Sequence, residues 1–195
     1  MSLSFKHSYC SLDLIYNLQQ GVLAVIDPKI EDAINGQINQ ELTAAYSYLA
    51  IAAHFEKTNL SGFANWMHQQ RLEELDHAMK LFNYLIDRGG EIKLQAVENP
   101  HKDFGGPLDV FKLALGMEQN NTKSINELYR LATDLNDYAT QSHLKWFIDE
   151  QVEEEKSMED VIAMLELAGD DRSALLVLNQ QMGSRQGDPA AVTGE

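Results

Sequence analysis

Cysteine and basic residues are both scarce in this sequence. Cys10 is the only cysteine, which excludes an intrachain disulfide and a thiolate metal site. There are 15 Lys and Arg residues against 30 Asp and Glu, and the formal net charge is −15. This balance argues against nucleic acid and anionic membrane surfaces, which attract basic patches, and favours cations as partners. Acidity that serves only solubility remains the alternative.

Long apolar runs are absent as well. No segment approaches the roughly 18–20 apolar residues of a membrane-spanning helix. Near the N-terminus, Asp13 and Asn17 interrupt the apolar patch at residues 12–18. The basic start and the cleavage site of a signal peptide are also missing. We therefore expect a cytoplasmic protein that is not exported, and the single cysteine suits a reducing compartment.

The apolar residues recur at helical spacing in four long segments, and strand signals are almost absent. The first helix is predicted from Asp27-Pro28 to about residue 57, and Asn59 is the expected cap of the second. That second helix ends at Gly89-Gly90, which suit a left-handed turn. The third begins near residue 108 and stops at a polar turn at 134–137. The fourth covers about 138–168, and residues 172–182 form a short fifth helix.

Residues 91–107 show no helical period and contain several breakers, so they form a long connection. Such a length fits a crossover from one end of a bundle to the other. The predicted fold is therefore all-α, a four-helix bundle with a long crossover between helices two and three and a short fifth helix. One domain covers residues 27–182. Residues 1–26 are an extension of unknown role, and residues 183–195 a flexible tail.

Each long helix carries polar groups in the middle of its apolar face. In the second helix Glu74 and His77 lie three residues apart, so they point the same way from neighbouring turns. A carboxylate on a face turned towards the core is costly unless something compensates its charge. A metal ion would do so. The donors on the four helices are Glu41, Glu74, His77, Glu118, Gln151 and Glu154.

The same donors repeat at a fixed offset of 77 positions. It relates Glu41 to Glu118 and Glu74 to Gln151, and it also relates the residue pairs 73/150, 76/153 and 77/154. The remaining residues of the two halves agree poorly. The two helix pairs therefore share the placement of their donors. A donor set that is rich in carboxylates and contains one histidine suits iron or manganese better than zinc.

At these residues the chain resembles the ferritins, specifically the bacterial non-haem type, over about residues 28–182. The motif is Glu41, then Glu74-Leu-Asp-His77, then Glu118, then Gln151-Val-Glu-Glu154. Tyr48 and Trp146 match aromatic residues that flank the di-iron centre in that family. The resemblance implies a cage, commonly of 24 subunits, in which Fe(II) is oxidised by dioxygen or peroxide and stored as a ferric mineral.

The resemblance also implies the roles of individual residues. Glu41, Glu74 and His77 would hold the first iron, with Glu74 bridging, and Glu118, Gln151 and Glu154 would serve the second. Tyr48 would act either as an extra electron donor or only as a core aromatic bonded to a site carboxylate. Three flanking acids, Glu73, Glu150 and Glu153, match a third iron site in that family, although spacing alone slightly favours a solvated acidic face that only attracts cations.

Two departures from related families bear on cofactor and activity. Bacterioferritins carry a second Glu-x-x-His where this chain has Gln151 and Glu154, and a haem-binding methionine where it has Leu75, so no haem is expected. A rubrerythrin-like di-iron oxidase or peroxidase is the alternative, although such proteins usually add a rubredoxin module or the second Glu-x-x-His. A catalytically silent cage subunit is a third possibility, against which the complete ligand set argues.

Overall fold

The computed structural model describes residues 26–98, 100 and 103–185, and the regular secondary structure within these ranges is all α-helical. The helices are α1 (Pro28–Lys57), α2 (Ser61–Asp87), α3 (Pro107–Asp134), α4 (Tyr138–Ala168) and α5 (Arg172–Met182). The all-α prediction is confirmed, and the boundaries lie within two residues of those expected. The N-terminal extension up to residue 25 lies outside the described residues. Across the described ranges, no helix is both long and apolar enough to cross a membrane.

Short polar side chains and turn residues explain most helix ends. Asp27 accepts a hydrogen bond from the amide of Lys29 and caps α1, as predicted. The prediction that Asn59 caps α2 is wrong. Leu60 precedes the helix without a side-chain cap, and Asn59 has a φ of 60°, because asparagine tolerates the left-handed conformation that this tight turn requires. Gly89 adopts the expected left-handed turn after α2, with a φ of 72°.

The helices form two antiparallel pairs, α1 with α2 and α3 with α4, joined by the long connection between residues 88 and 106. This connection runs along α1. Asn35 donates to the carbonyl of Glu91 over 2.8 Å and accepts from the amide of Lys93 over 2.7 Å. Further along, the ring of His54 lies 3.2 Å from the carbonyl oxygen of Gly105. The connection thus carries the chain from one end of α1 to the other, and it is the predicted crossover.

The core consists of two apolar clusters separated along the bundle. One is centred on Phe55, Phe63 and Phe111, and the other on Ile34, Leu81 and Phe147. On each long helix the predicted metal donors lie between the residues of one cluster and those of the other. The donors therefore form a polar layer across the middle of the bundle, with apolar packing above and below it.

The short helix α5 packs against the start of α2. The side chain of Asn179 accepts hydrogen bonds from the backbone amides of Gly62 and Phe63, at 3.0 and 3.2 Å. A Cβ at Gly62 would lie 1.6 Å from the backbone oxygen of Asn179, so this close approach requires glycine. Beyond α5, Asn65 donates to the carbonyl of Arg185 over 3.1 Å. Residues 183–185, which the sequence assigns to the tail, thus contact α2, and residues 186–195 lie outside the described part.

Candidate metal centre

All six predicted donors on the four long helices lie in the polar layer and are buried. Their exposed fractions are between 0 and 4%, for Glu41, Glu74, His77, Glu118, Gln151 and Glu154. Helical spacing explains the arrangement, since each donor continues an apolar stripe that faces the bundle axis. Four carboxyl groups in one buried layer cannot all be ionised at low cost. The layer therefore has the composition of a cation site.

Glu41, Glu74 and His77 form the tighter part of this layer. One ligand atom from each lies within 4.8 Å of the other two, and all three side chains are buried. Among the described residues, no amide or hydroxyl bonds to either oxygen of Glu74 or to Nδ1 of His77, although these atoms are fully buried, and Nδ1 of His77 lies 3.6 Å from Oε2 of Glu74. Buried polar atoms in folded proteins rarely lack a hydrogen-bond partner. A metal ion bound to Glu74 and His77 would satisfy these atoms, so the residues present fit iron.

Glu118 and Gln151 form the opposite side of the layer. Tyr48 donates its hydroxyl hydrogen to Oε1 of Glu118. The amide of Gln151 lies 3.2 Å from the backbone carbonyl oxygen of Glu118 and 3.4 Å from its carboxylate. Glu74 interacts electrostatically both with Glu118 on α3 and with Glu41 on α1. This position suits the bridging role expected of Glu74.

A second possible cation group lies beside the first and shares its histidine. Ligand atoms of His77, Glu150 and Glu154 lie within 4.8 Å of one another, with Glu150 only partly buried. Glu73 is also partly buried and forms an ion pair with Arg185 over 2.8 Å. Glu153 is exposed on α4 and belongs to neither group found among the described residues. The structure thus brings Glu150, but not Glu153, up to the centre.

Three buried amides that the sequence analysis did not select hold the carboxylates. Gln37 donates to one oxygen of Glu41 over 2.7 Å, and Asn121 donates to the other over 3.0 Å. Gln70 donates to Glu154 over 2.8 Å. A signal for them was available in the sequence. Each lies three or four residues from a predicted donor on its own helix, and therefore on the same face.

Burial dominates the ionisation of the centre. It raises the pKa of Glu41 to about 7, and burial together with repulsion from Glu118 and Glu73 raises the pKa of Glu154 to about 8. The pKa values of Glu74 and Glu118 are raised as well, first by burial. Burial lowers the pKa of His77 to about 4. Without a metal, burial therefore favours the protonated form of these acids, and the histidine, with a pKa of about 4, is neutral at pH 7 and can bind a metal ion.

The remaining histidines and the acidic turn play other parts where they are described. His143 stacks on Tyr84, with ring centroids 4.1 Å apart, and therefore acts as a packing residue. Asp137, in the polar turn before α4, caps that helix and pairs with Arg88 over 2.9 Å. Trp146 lies beside the centre, with its ring 5.4 Å from that of His77. The histidines at positions 7 and 101 lie outside the described residues.

A four-helix bundle with a long crossover and a central layer of carboxylates and one histidine defines the class of ferritin-like carboxylate proteins. Comparison with known proteins identifies the family. The model of the ferritin-like domain matches residues 31–168. The chain belongs to the ferritin family, as the resemblance predicted, and this membership supports a role in iron storage.

Relatives and solved structures agree with this assignment. The chain is 41% identical over 164 residues to a bacterial non-heme ferritin of Staphylococcus aureus (strain USA300), covering 84% of this chain and 99% of that protein. It is 40% identical over 153 residues to the Staphylococcus epidermidis protein of the same name, covering 78% and 92%. An open pore ferritin of the archaeon Archaeoglobus fulgidus is 44% identical and matches 84% of this chain and all of its own, with a TM-score of 0.82.

Proposed function

We propose that this protein oxidises Fe(II) to Fe(III) at a di-iron centre inside each subunit and stores the ferric product within a cage of identical subunits. The observation that carries this proposal is the buried group of Glu41, Glu74 and His77, in which no amide or hydroxyl among the described residues donates to either oxygen of Glu74. Iron is the substrate of this centre. The carboxylates and the single histidine are ligands that suit it.

Each residue has a distinct part in the proposed reaction. Glu41 and His77 bind one Fe(II), Glu118 with Gln151 and Glu154 binds the other, and Glu74 lies between them. Two Fe(II) ions each give up one electron. Together with two protons, these electrons reduce one dioxygen to hydrogen peroxide, or one peroxide to two waters. Glu41 and Glu154, whose carboxyls hold protons near neutral pH, release them as iron binds.

The buried amides keep the ligands in place between turnovers. Gln37 and Asn121 hold both oxygens of Glu41, and Gln70 holds Glu154, so these carboxylates need little reorganisation when iron arrives. Leu75 has no donor atom for iron, and we propose that the protein binds no haem. The group of His77, Glu150 and Glu154 supports a further cation site beside the centre. Participation of Glu73 and Glu153 in that site remains part of the proposal.

The ligand assignment is tested by Fe(II) oxidation in Glu74→Gln and His77→Ala. We expect the fast phase to slow by roughly tenfold or more, because even residues that only orient ligands contribute that much. His68→Ala on the same helix is the matched control, since His68 is absent from both metal groups found in the described ranges. Helical content and assembly should persist in all three variants. A fast phase that survives in both ligand variants would refute the centre.

Particle mass tests the storage role. A cage of many 22.0 kDa subunits should elute at hundreds of kilodaltons and retain ferric iron after loading. A rubrerythrin-like oxidase would retain the rapid Fe(II) chemistry in a small oligomer, and a silent cage subunit would assemble without it. The two measurements together therefore separate all three functions. A stable monomer or dimer at neutral pH would exclude storage in a closed shell.

A further inference from the structure

Arg185 links the end of the described chain to the side of the metal centre that carries Glu73 and Glu154. It follows α5, and the turn that carries it is held against α2, because Asn65 donates to its carbonyl oxygen over 3.1 Å and to that of Gly183 over 3.4 Å. The guanidinium then lies over the ring of Trp66, with its central carbon 4.3 Å from the ring centroid. The position of the side chain is thus fixed at both ends, by backbone contacts and by stacking.

The guanidinium donates hydrogen bonds to two side chains beside the centre. One nitrogen donates to Oε2 of Glu73 over 2.8 Å. The other donates to Oε1 of Gln70, whose amide nitrogen in turn donates to Glu154 over 2.8 Å. Since Arg185 uses the oxygen of Gln70, the amide nitrogen must face Glu154. The planar fork of arginine suits two acceptors at once, which the single ammonium of lysine cannot match.

The acids that Arg185 contacts belong to the side of the centre where further cations would bind. Glu154 is in the group with His77 and Glu150, and Glu73 is close enough to Glu154 for the two carboxylates to interact. Because the Arg185 and Glu73 side chains are only 23% and 13% exposed, their ion pair is partly shielded from solvent. A cation that approaches Glu73 therefore meets a positive charge that is already bound there.

We propose that Arg185 is a positioning residue and a tethered counter-ion, which holds Glu73 and Glu154 in the absence of iron and which Fe(II) must displace from Glu73 to bind on that side of the centre. This inference rests on the proposed ferroxidase function. It adds Arg185, a residue from beyond the four-helix bundle, which sets the Fe(II) affinity at Glu73 and Glu154 without being a ligand. Binding at Glu41, Glu74 and His77 does not require its displacement.

The test is anaerobic Fe(II) binding by equilibrium dialysis, which measures affinity without turnover. In Arg185→Ala the weaker binding phase should tighten by roughly fivefold, because one competing charge is removed. Arg185→Lys keeps the charge but loses the fork that holds Gln70 and Glu73 together, so the affinity of its weaker phase should lie between those of the wild type and Arg185→Ala. The matched control is Arg172→Ala at the start of α5, which lowers the net charge equally but should leave both phases unchanged.

Trp66 provides a second readout that a merely structural role would not change. In a Trp146→Phe background, Trp66 is the remaining tryptophan. Its emission should change during the weaker phase, as the guanidinium leaves the ring, and this change should be absent when Arg185→Ala is added. An unchanged or weakened second phase in Arg185→Ala, with the tight phase intact, would overturn this inference alone. If the wild-type protein itself showed no tight Fe(II) binding, the di-iron centre would be refuted instead.

Discussion

Tyr48 donates its hydroxyl hydrogen to Glu118, and both side chains are buried between α1 and α3. Burial, and then repulsion from Glu118, raise the pKa of Tyr48 well above that of an ordinary tyrosine. The phenol therefore keeps its proton and remains a donor. This bond fixes one carboxylate of the proposed second iron position, whatever further part Tyr48 plays in electron transfer.

Tyr48→Phe should lower the free energy of unfolding while leaving the fold unchanged. The substitution removes only the hydroxyl, and it deprives Glu118 of a buried donor at a cost of about 1–3 kcal/mol. Denaturant unfolding of the iron-free protein measures this loss. Tyr46→Phe is the control, because Tyr46 lies on the same helix but is 48% exposed. Equal stability of the two variants would show that the bond to Glu118 contributes nothing.

Fe(II) binding should release more protons at pH 6 than at pH 8. With pKa values of about 7 for Glu41 and about 8 for Glu154, both carboxyls are protonated at pH 6 and iron must displace the protons. His77 contributes none, because its pKa is about 4. We expect a difference of about one proton, and affinity that increases with pH.

Anaerobic calorimetry in two buffers of different ionisation enthalpy measures this proton count. Glu154→Gln removes one titrating carboxyl and should lower the release at pH 6 by about one proton, while the tight group at Glu41 stays intact. Proton release that does not vary between pH 6 and pH 8 would contradict the raised pKa values of the centre.

Gly62→Ala should detach α5 from the bundle. Its Cβ would collide with the backbone oxygen of Asn179 at 1.6 Å, and a backbone atom cannot move aside as a flexible side chain can. Overpacking of this kind costs about 1–3 kcal/mol. Faster proteolysis and hydrogen exchange across residues 172–182 would report the detachment.

Gly36→Ala is the matched control for this change. Gly36 lies in α1, and a Cβ added there would meet no heavy atom within 4 Å among the described residues, so alanine should stabilise the helix by about 0.5–1 kcal/mol. If Gly62→Ala behaved like Gly36→Ala, the close contact between α2 and α5 would not exist in solution.

Local signals in the sequence predict most of the fold and the six metal donors of the central polar layer, but not the amides that hold them. Glu41 and Glu118 can be recognised because helical periodicity alone places them on buried stripes. The prediction for Asn59 is wrong because its side chain suits both a cap and a left-handed turn, and only the geometry of the α1–α2 turn decides between them. The conformation of the turns between helices is therefore harder to predict than which residues lie on the buried faces of the helices.

Contacts between distant residues could not be predicted in this way. Arg185 lies 112 positions from Glu73, and no spacing rule connects them. The hydrogen bond between Gln37 and Asn121 joins α1 to α3 in a similar manner, across 84 positions. Such contacts follow from how the helices pack together, which the sequence pattern constrains only through which faces are apolar.

The ion pair between Arg88 and Asp137 should stabilise the end of the bundle in a pH-dependent way. Burial tends to raise the pKa of Asp137, but hydrogen bonds from Arg88 and Thr140 outweigh it, and the pKa lies below the ordinary value of 3.8. A lowered pKa in the folded state means that the stabilisation is present above pH 3.8 and is lost as the pH falls through the folded-state value.

Two substitutions at Asp137 separate the ion pair from the helix cap. Asp137→Asn removes the charge but can still accept the amide hydrogen of Thr140, so it should cost about 1–2 kcal/mol at pH 7, and this cost should shrink as the pH falls below about 4. Asp137→Ala also removes the cap and should cost about 1 kcal/mol more at every pH. Denaturant midpoints at several pH values measure both terms. A pH-independent difference between the wild type and Asp137→Asn would mean that the charge of Asp137 does not contribute, and that the cap alone holds α4.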